Sequence, residues 1–278
     1  MENNIVQTDK WESSEGVHSD IPSGKVVRRS FLKKIAILAL APIAFGFLGS
    51  TDKLKTIKKW MLENGYVPSN HKWGMGIDIN KCIGCGRCAV ACKKENNVPQ
   101  EPFFFRTWVE RYRIYEDGDI QVDSPNGSID GFENSRTNKK MLRSFFVPKI
   151  CNHCENPPCV QVCPVGATFK GEDGVVLVDS DYCVGCRYCI QACPYGARFL
   201  HPETHTAEKC TFCYHRIVQD KLPACVEVCP TQARVFGELN KKASPLVRFL
   251  RMNKIGILKP SLNTEPKVYY SNLDMEVK

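Results

Sequence analysis

At 278 residues the chain has room for one large domain or two smaller ones with ample core. Its composition is that of a folded protein except for sixteen cysteines, roughly two to three times the usual share and still short of the density of a small disulfide scaffold. The net charge of +8 is diffuse, part of it after Asn240, where eight Lys/Arg face three acids, and no Lys/Arg block of nucleic-acid type stands out.

Residues 1–50 read as a leader. Arg28 and Arg29, followed by Ser30, Phe31, Leu32 and Lys33, resemble the twin-arginine export signal S/T-R-R-x-F-L-K in every position but the first. The apolar run from Ile35 to Leu48 has the length of a signal h-region and falls short of a comfortable membrane span. Pro42, Gly46 and Gly49 would make it a poor core helix. Ala44-Phe45-Gly46 is a weak small-x-small site, which leaves cleavage and retention as an anchor both open. The twin-arginine route carries proteins already folded around their cofactors. It places the chain on the periplasmic, extracytoplasmic face of the cytoplasmic membrane, with thiolates bonded to metal before oxidising conditions are met. Residues 51–76 follow as a linker.

From residue 77 to 240 the cysteines fall into four quartets. CIGCGRCAVAC holds Cys82, Cys85, Cys88 and Cys92. The next segment, Phe103 to Lys149, has no cysteine: TWVERYRIY, EDGD and IQVD read as a hairpin on an Asp-Gly turn. SPNGSIDGFENSRTNKK reads as a loop and SFFVPKI as a strand. CNHCENPPCVQVCP then holds Cys151, Cys154, Cys159 and Cys163, and GVVLVD is a β-rich run after another Asp-Gly turn. CVGCRYCIQACP holds Cys183, Cys186, Cys189 and Cys193. CTFCYHRIVQDKLPACVEVCP holds Cys210, Cys213, Cys225 and Cys229. In the tail, 241–278, PLVRFLRM reads as a short amphipathic helix and KVYYSNLD as extended chain. Two readings of that tail stand open, packing against the cysteine-rich core or a strap across a partner subunit.

The first and third quartets match C-x2-C-x2-C-x3-C, the spacing by which bacterial ferredoxins hold [4Fe–4S] cubanes. Three sulfurs three residues apart let a short loop wrap one face of the cube. Gly84, Gly86 and Gly185 can supply the positive φ such a wrap needs, and the loop's amides can then point at the sulfurs. The fourth cysteine lies a helical turn further on and, in two-cluster ferredoxins, ligates the other cluster. Proline after Cys163, Cys193 and Cys229 ends that turn, whereas Lys93 follows Cys92. A zinc ribbon separates its C-x2-C pairs more widely, and a disulfide framework explains neither the triplets nor the export signal. No C-x-x-C is followed by the His that covalent haem requires. His153 and His215 stand inside quartets already complete, which makes them neighbours of the sulfurs or surface residues rather than Rieske ligands.

CPVGATF, CPYGARF and CPTQARVF follow the last cysteines of quartets two, three and four, each reading as helix end, turn and strand start. Quartets two and three begin 32 residues apart, the spacing of one compact two-cluster ferredoxin. One cube then takes Cys151, Cys154, Cys159 and Cys193, and another takes Cys183, Cys186, Cys189 and Cys163. By elimination, and with the resemblance described next, Cys82, Cys85, Cys88 and Cys229 hold a third, and Cys210, Cys213, Cys225 and Cys92 a fourth. The expected fold is α+β: two dicluster ferredoxin modules, one inserted in the other, with a β-hairpin insertion and an extended C-terminal tail.

The quartet order, the eleven-residue gap inside quartet four, and CNHCENPPC, DGVVLVD, CPYGARF and DKLPACVE resemble the four-cluster iron–sulfur subunits of molybdopterin oxidoreductases, the dimethyl sulfoxide, polysulfide and tetrathionate reductases among them. Within that family the leader, EKCTFCYHR and ILKPSLNTEPKVYY look most like the tetrathionate reductase type. The resemblance implies an electron relay between an integral membrane quinone-reactive subunit and a molybdopterin-containing catalytic subunit. Similar exported subunits serve some hydrogenases, nitrite reductases and sulfite-reduction complexes.

The residues themselves offer no rival chemistry. GCGRCA belongs to quartet one, GMGIDI lacks the third glycine and helix of a dinucleotide site, and no nucleophile–base pair is visible. The expectation is a non-catalytic electron-transfer subunit with four [4Fe–4S] clusters, no catalytic residues, no nucleic-acid partner and no small-molecule substrate of its own. Arg187, Tyr188, Arg198 and Lys209 lie close in sequence to the ligands. The cations among them would either raise a cluster potential or serve as surface salt bridges.

Overall fold

The computed structural model describes residues 53–133 and 139–277, so the leader with Arg28 and Arg29 lies outside them, as does the middle of the loop before Lys140. In chain order the elements are α1 (Lys53–Asn64), β1 (Trp73–Asp78), α2 (Arg87–Asn96), β2 (Thr107–Tyr115), β3 (Ile120–Asp123), β4 (Met141–Ile150), α3 (Pro158–Gln161), β5 (Thr168–Lys170) and β6 (Val176–Val178). There follow α4 (Tyr188–Gln191), β7 (Arg198–Leu200), β8 (Ala207–Lys209), α5 (Tyr214–Ile217), α6 (Ala224–Glu227), β9 (Arg234–Glu238), α7 (Pro245–Met252), β10 (Ile255–Gly256) and β11 (Val268–Ser271). Among the described residues no helix is long and apolar enough to cross a membrane.

The helix α1 fills part of the stretch the sequence offers only as a linker. Leu54, Ile57, Trp60 and Met61, three or four positions apart, line one face and pack against the core. The Trp73–Asp78 strand is buried along its whole length. It is an inner strand of the sheet β10-β11-β1-β9, parallel to β11 and antiparallel to β9. This pairing ties the strand before quartet one to the strand after quartet four. Its glycines seat α7: a Cβ on Gly76 would lie 2.5 Å from the Phe249 ring, and one on Gly74 would lie 2.9 Å from Leu246. The motif GMGID thus serves close helix-on-strand packing. The core is centred on Met75, Ile77, Val147, Phe212 and Tyr270.

The cysteine-free segment forms the expected hairpin and more. Strands β3, β2 and β4 make an antiparallel sheet in which Arg111 faces Asp123 and Val109 faces Pro148. Pro148 is tolerated because β4 is an edge strand. The three turns Cys-Pro-x-x-Ala each lead from a four-residue helix (α3, α4, α6) into a strand (β5, β7, β9). The first quartet differs as its Lys93 foretells. With no proline after Cys92, α2 runs on to Asn96, and Lys93 turns inward to donate to the carbonyls of Pro99, Gln100 and Glu101 at 2.9–3.1 Å.

Candidate metal centres

Each quartet opens on a C-x-x-C loop, and the four loops share one left-handed residue. The residue before the second cysteine has positive φ in all of them: 68° at Gly84, 42° at His153, 68° at Gly185 and 53° at Phe212. Gly86 and Gly185 have a second reason to be glycine. A Cβ on Gly86 would collide with the Ser128 carbonyl, and one on Gly185 with the carbonyl of His205. The loop after the hairpin therefore braces quartet one, and the β7–β8 turn braces quartet three.

None of the sixteen cysteines is joined in a disulfide. One cavity is lined by Cys82, Cys85, Cys88 and Cys229 together with Val109, Pro148, Thr231 and Arg234. Here burial pushes the Cys82 thiol up to about 11, against the Gly84 amide, with the Cys88 and Cys229 sulfurs adding to the rise. Burial also works on Cys229, but the Thr231 hydroxyl and the amides of Ala233 and Arg234 outweigh it and hold that thiol below its ordinary value.

A second gathering joins Cys92 to Cys210, Cys213 and Cys225, all buried. Burial raises Cys92 well above the usual thiol range, and the charges of Cys210, Cys225 and Cys213 raise it further. The Asn96 side-chain amide donates to Cys92 Sγ and Cys213 Sγ, 3.6 Å from each. The Phe212 N–H donates to Cys210 Sγ at 3.2 Å.

The third gathering joins Cys154 to Cys151, Cys159 and Cys193. Burial brings the Cys154 thiol up to about 12; the other three sulfurs raise it too, and the Thr264 hydroxyl, hydrogen bonded to it, opposes them. Thr264 Oγ1 lies 2.5 Å from the Tyr195 hydroxyl, and Lys267, three residues on, donates its backbone N–H to the Asn152 carbonyl at 2.8 Å. The C-terminal tail therefore lies on this site.

In the fourth gathering, Cys183 and Cys189 belong to a small apolar cluster with Val176 and Ala207. The Ala207 N–H donates to Cys183 Sγ at 3.3 Å and the Thr168 N–H to Cys163 Sγ at 3.5 Å. The amides of residues 165–168 offset burial and hold Cys163 below its ordinary value. Cys186 is exposed. These amides and hydroxyls aimed at sulfur are the donor set a [4Fe–4S] cluster, with its negative charge, requires.

The two histidines divide. His153 is buried, its Nδ1 accepts from the Val176 N–H at 3.1 Å, and its ring stacks on Phe212 with centroids 3.7 Å apart. Burial holds it well below its ordinary value and hence neutral. His215 instead meets Glu95 at 2.7 Å, which Arg216 also holds at 3.0 Å, so that α5 docks on α2.

The sequence-proximal cations divide as well. Arg187 and Tyr188 are exposed, whereas Arg198 and Lys209 are buried. The interior also holds charged and polar residues that the sequence does not single out. Arg234 is buried and donates to Cys88 Sγ at 3.4 Å and Cys225 Sγ at 3.8 Å. Arg106, paired with Glu208, donates to Asn96 Oδ1 at 3.1 Å. The signal for Arg234 was available: it stands five residues past Cys229, as Arg198 does past Cys193. Thr264 has no such signal, since more than a hundred residues separate it from Cys154.

Two family models, each described as a 4Fe-4S dicluster domain, match residues 81–167 and 142–239. A tetrathionate reductase subunit of Salmonella typhimurium is 46% identical over 206 residues, 73% of this chain and 74% of the relative. The chain belongs to the four-cluster iron–sulfur subunit family of the molybdopterin oxidoreductases. Other members similar to it are the corresponding tetrathionate reductase subunit of Archaeoglobus fulgidus, 46% identical over 78% of this chain and 87% of the relative, and a polysulfide reductase subunit of Wolinella succinogenes, 38% identical over 71% and 93%. As a member of this iron–sulfur subunit family the chain carries four [4Fe–4S] clusters, two for each dicluster domain.

Proposed function

We propose that this chain is the electron relay of an exported sulfur-compound reductase, passing electrons between a membrane quinone-reactive subunit and a molybdopterin catalytic subunit without a substrate of its own. Bound, each cluster takes up and hands on one electron with little change in geometry. The ligand sets are Cys82, Cys85, Cys88 and Cys229 (cluster 1); Cys210, Cys213, Cys225 and Cys92 (cluster 2); Cys151, Cys154, Cys159 and Cys193 (cluster 3); and Cys183, Cys186, Cys189 and Cys163 (cluster 4). The module of quartets two and three is inserted in that of quartets one and four, a reading supported by the β1–β9 pairing that brackets everything between.

The observation that carries the relay is that neighbouring sulfur groups adjoin one another in sequence. Arg234 lies 3.4 Å from Cys88 Sγ of the first set and 3.8 Å from Cys225 Sγ of the second. The Phe212 ring in the second set's loop stacks on His153 in the third set's loop, and Cys159 of the third shares a buried cluster with Cys189 of the fourth. That is a row, 1–2–3–4. The names of its relatives, tetrathionate and polysulfide reductases, favour a sulfur compound as the ultimate acceptor or donor.

In the assembled complex Cys189→Ser is expected to remove cluster 4 and abolish quinol-linked turnover, while the catalytic subunit keeps its activity with an artificial dye. Loss of the dye-linked activity as well would mean that the chain does more than conduct. Periplasmic placement rests on Arg28 and Arg29. Changing both to Lys is expected to leave the folded protein in the cytoplasm, and normal export of that variant would refute the placement.

A further inference from the structure

Buried cations in this protein are held in different ways. Lys93 lies among the carbonyls of Pro99, Gln100 and Glu101, with the Glu101 charge near it, and others meet a carboxylate directly. Arg106 pairs with Glu208, Lys149 with Glu110 and Lys267 with Glu155. Arg234, Lys209 and Arg198 are as deeply buried, yet among the described residues their partners are sulfurs, hydroxyls and carbonyls, with no carboxylate. A buried charge without a counter-charge is strongly destabilising, so the negative charge that balances these three comes from the cysteine groups they touch.

Their positions are not scattered. Arg234 stands between the first and second sets, its two guanidinium nitrogens 3.4 Å from Cys88 Sγ and 3.8 Å from Cys225 Sγ, and a bond of 2.8 Å to Thr107 Oγ1 fixes its plane. Lys209, fully enclosed, donates to the Cys210 carbonyl of the second set at 2.6 Å and is paired across the β7–β8 ladder with Arg198, the residue that meets Cys159 of the third. Arg198 lies 3.0 Å from Cys159 Sγ of the third set. Its other nitrogen reaches Thr168 Oγ1 at 3.3 Å, and the Thr168 amide in turn donates to Cys163 of the fourth.

We propose that Arg234, Lys209 and Arg198 are junction cations, one at each passage between consecutive clusters, and that each raises the potentials of both clusters it adjoins and offsets the repulsion between them when both are reduced. The inference rests on the ligand sets given above. Its physical basis is Coulomb's law in a poorly screened interior. An electron placed on one cluster raises the cost of placing the next on its neighbour, and a fixed cation between the two lowers both costs. A row of clusters without such charges would hold isolated electrons and resist filling adjacent sites.

The test is a redox titration of the assembled complex, followed by electron paramagnetic resonance, on Arg234→Gln, Lys209→Gln and Arg198→Gln. Each variant is expected to move two of the four potentials downward, in overlapping pairs: clusters 1 and 2, then 2 and 3, then 3 and 4. With iron retained, unmoved potentials or a uniform shift of all four would overturn the proposal. Should a glutamine variant lose iron, the charge-keeping partners Arg234→Lys, Lys209→Arg and Arg198→Lys are expected to keep both iron and potentials. Loss of iron there too assigns a merely structural role and also overturns it. Iron analysis of the unaltered protein separates the two layers, because a content below four [4Fe–4S] clusters sinks the ligand sets themselves rather than the role of the cations.

Discussion

Gly185 and Gly196 both adopt positive φ, 68° and 61°, and both lie beside the third quartet, yet they are glycine for different reasons. An alanine at either position carries the left-handed strain of about 1–2 kcal/mol. At Gly196 nothing lies within 4 Å of the added Cβ, so that strain is the whole effect. At Gly185 the Cβ would meet the His205 carbonyl, a backbone atom held by the turn between β7 and β8. Gly185→Ala is therefore expected to push the loop off its brace and cost cluster 4, read as iron lost on anaerobic purification, while Gly196→Ala keeps the full iron content. Equal retention in both would mean that the brace is dispensable. The motif makes the glycines legible. It does not reveal that His153 and Phe212 take the same conformation in the other two loops. Their strain is offset by stacking on each other inside the core, a contact between residues 59 positions apart that local sequence does not encode.

At the scale of elements, the signals that held are local ones. Asp-Gly turns set the hairpin of β2 and β3 and the β5–β6 pair. Proline after three of the four last cysteines limits α3, α4 and α6 to a single turn, and its absence after Cys92 lets α2 continue. The spacing of α7's apolar residues marked its buried face, though the partner surface, two glycines in β1, could be found only in three dimensions. What escaped reading was where charge is buried. An Arg in Cys-Pro-x-x-Ala-Arg looks the same whether its guanidinium meets water or sulfur. Only the pairing of β9 with β1 and the packing of β2 behind it turn Arg234 inward to Thr107 and Cys88. Likewise α1 carries a readable apolar spacing, but it is short and lysine-rich, and its helix is secured by tertiary packing on the core.

At the scale of the molecule, the tail decides between its two sequence readings by where its hydrogen bonds go. Strand β11 inserts beside β1 with Val268 and Tyr270 fully buried, and the Tyr270 hydroxyl donates to the Pro148 carbonyl at 3.0 Å. Ahead of it, residues 258–267 lie over the third sulfur set, that of Cys151, Cys154, Cys159 and Cys193. The Glu155 and Asn156 amides donate to the carbonyls of Glu265 and Thr264 at 2.8 and 3.1 Å, and Lys259 donates to the Pro194 carbonyl at 2.7 Å. A segment so placed belongs to this chain's own core, whatever a partner subunit adds. Burial of Tyr270 alone is worth about 2–3 kcal/mol, and losing the strand also leaves the inner edge of β1 unpaired. Ending the chain at Asn253 is accordingly expected to cost cluster 3 first, read as lost iron and a missing resonance signal. Thr264→Val, which removes one hydroxyl and little volume, isolates the finer effect. It should keep all the iron and lower a single potential, because a hydrogen bond to Cys154 that favours the more negative, reduced form is gone. If the truncated chain held its full iron content with four unaltered potentials, the tail would be an appendage awaiting a partner and not part of the wall around the third cluster.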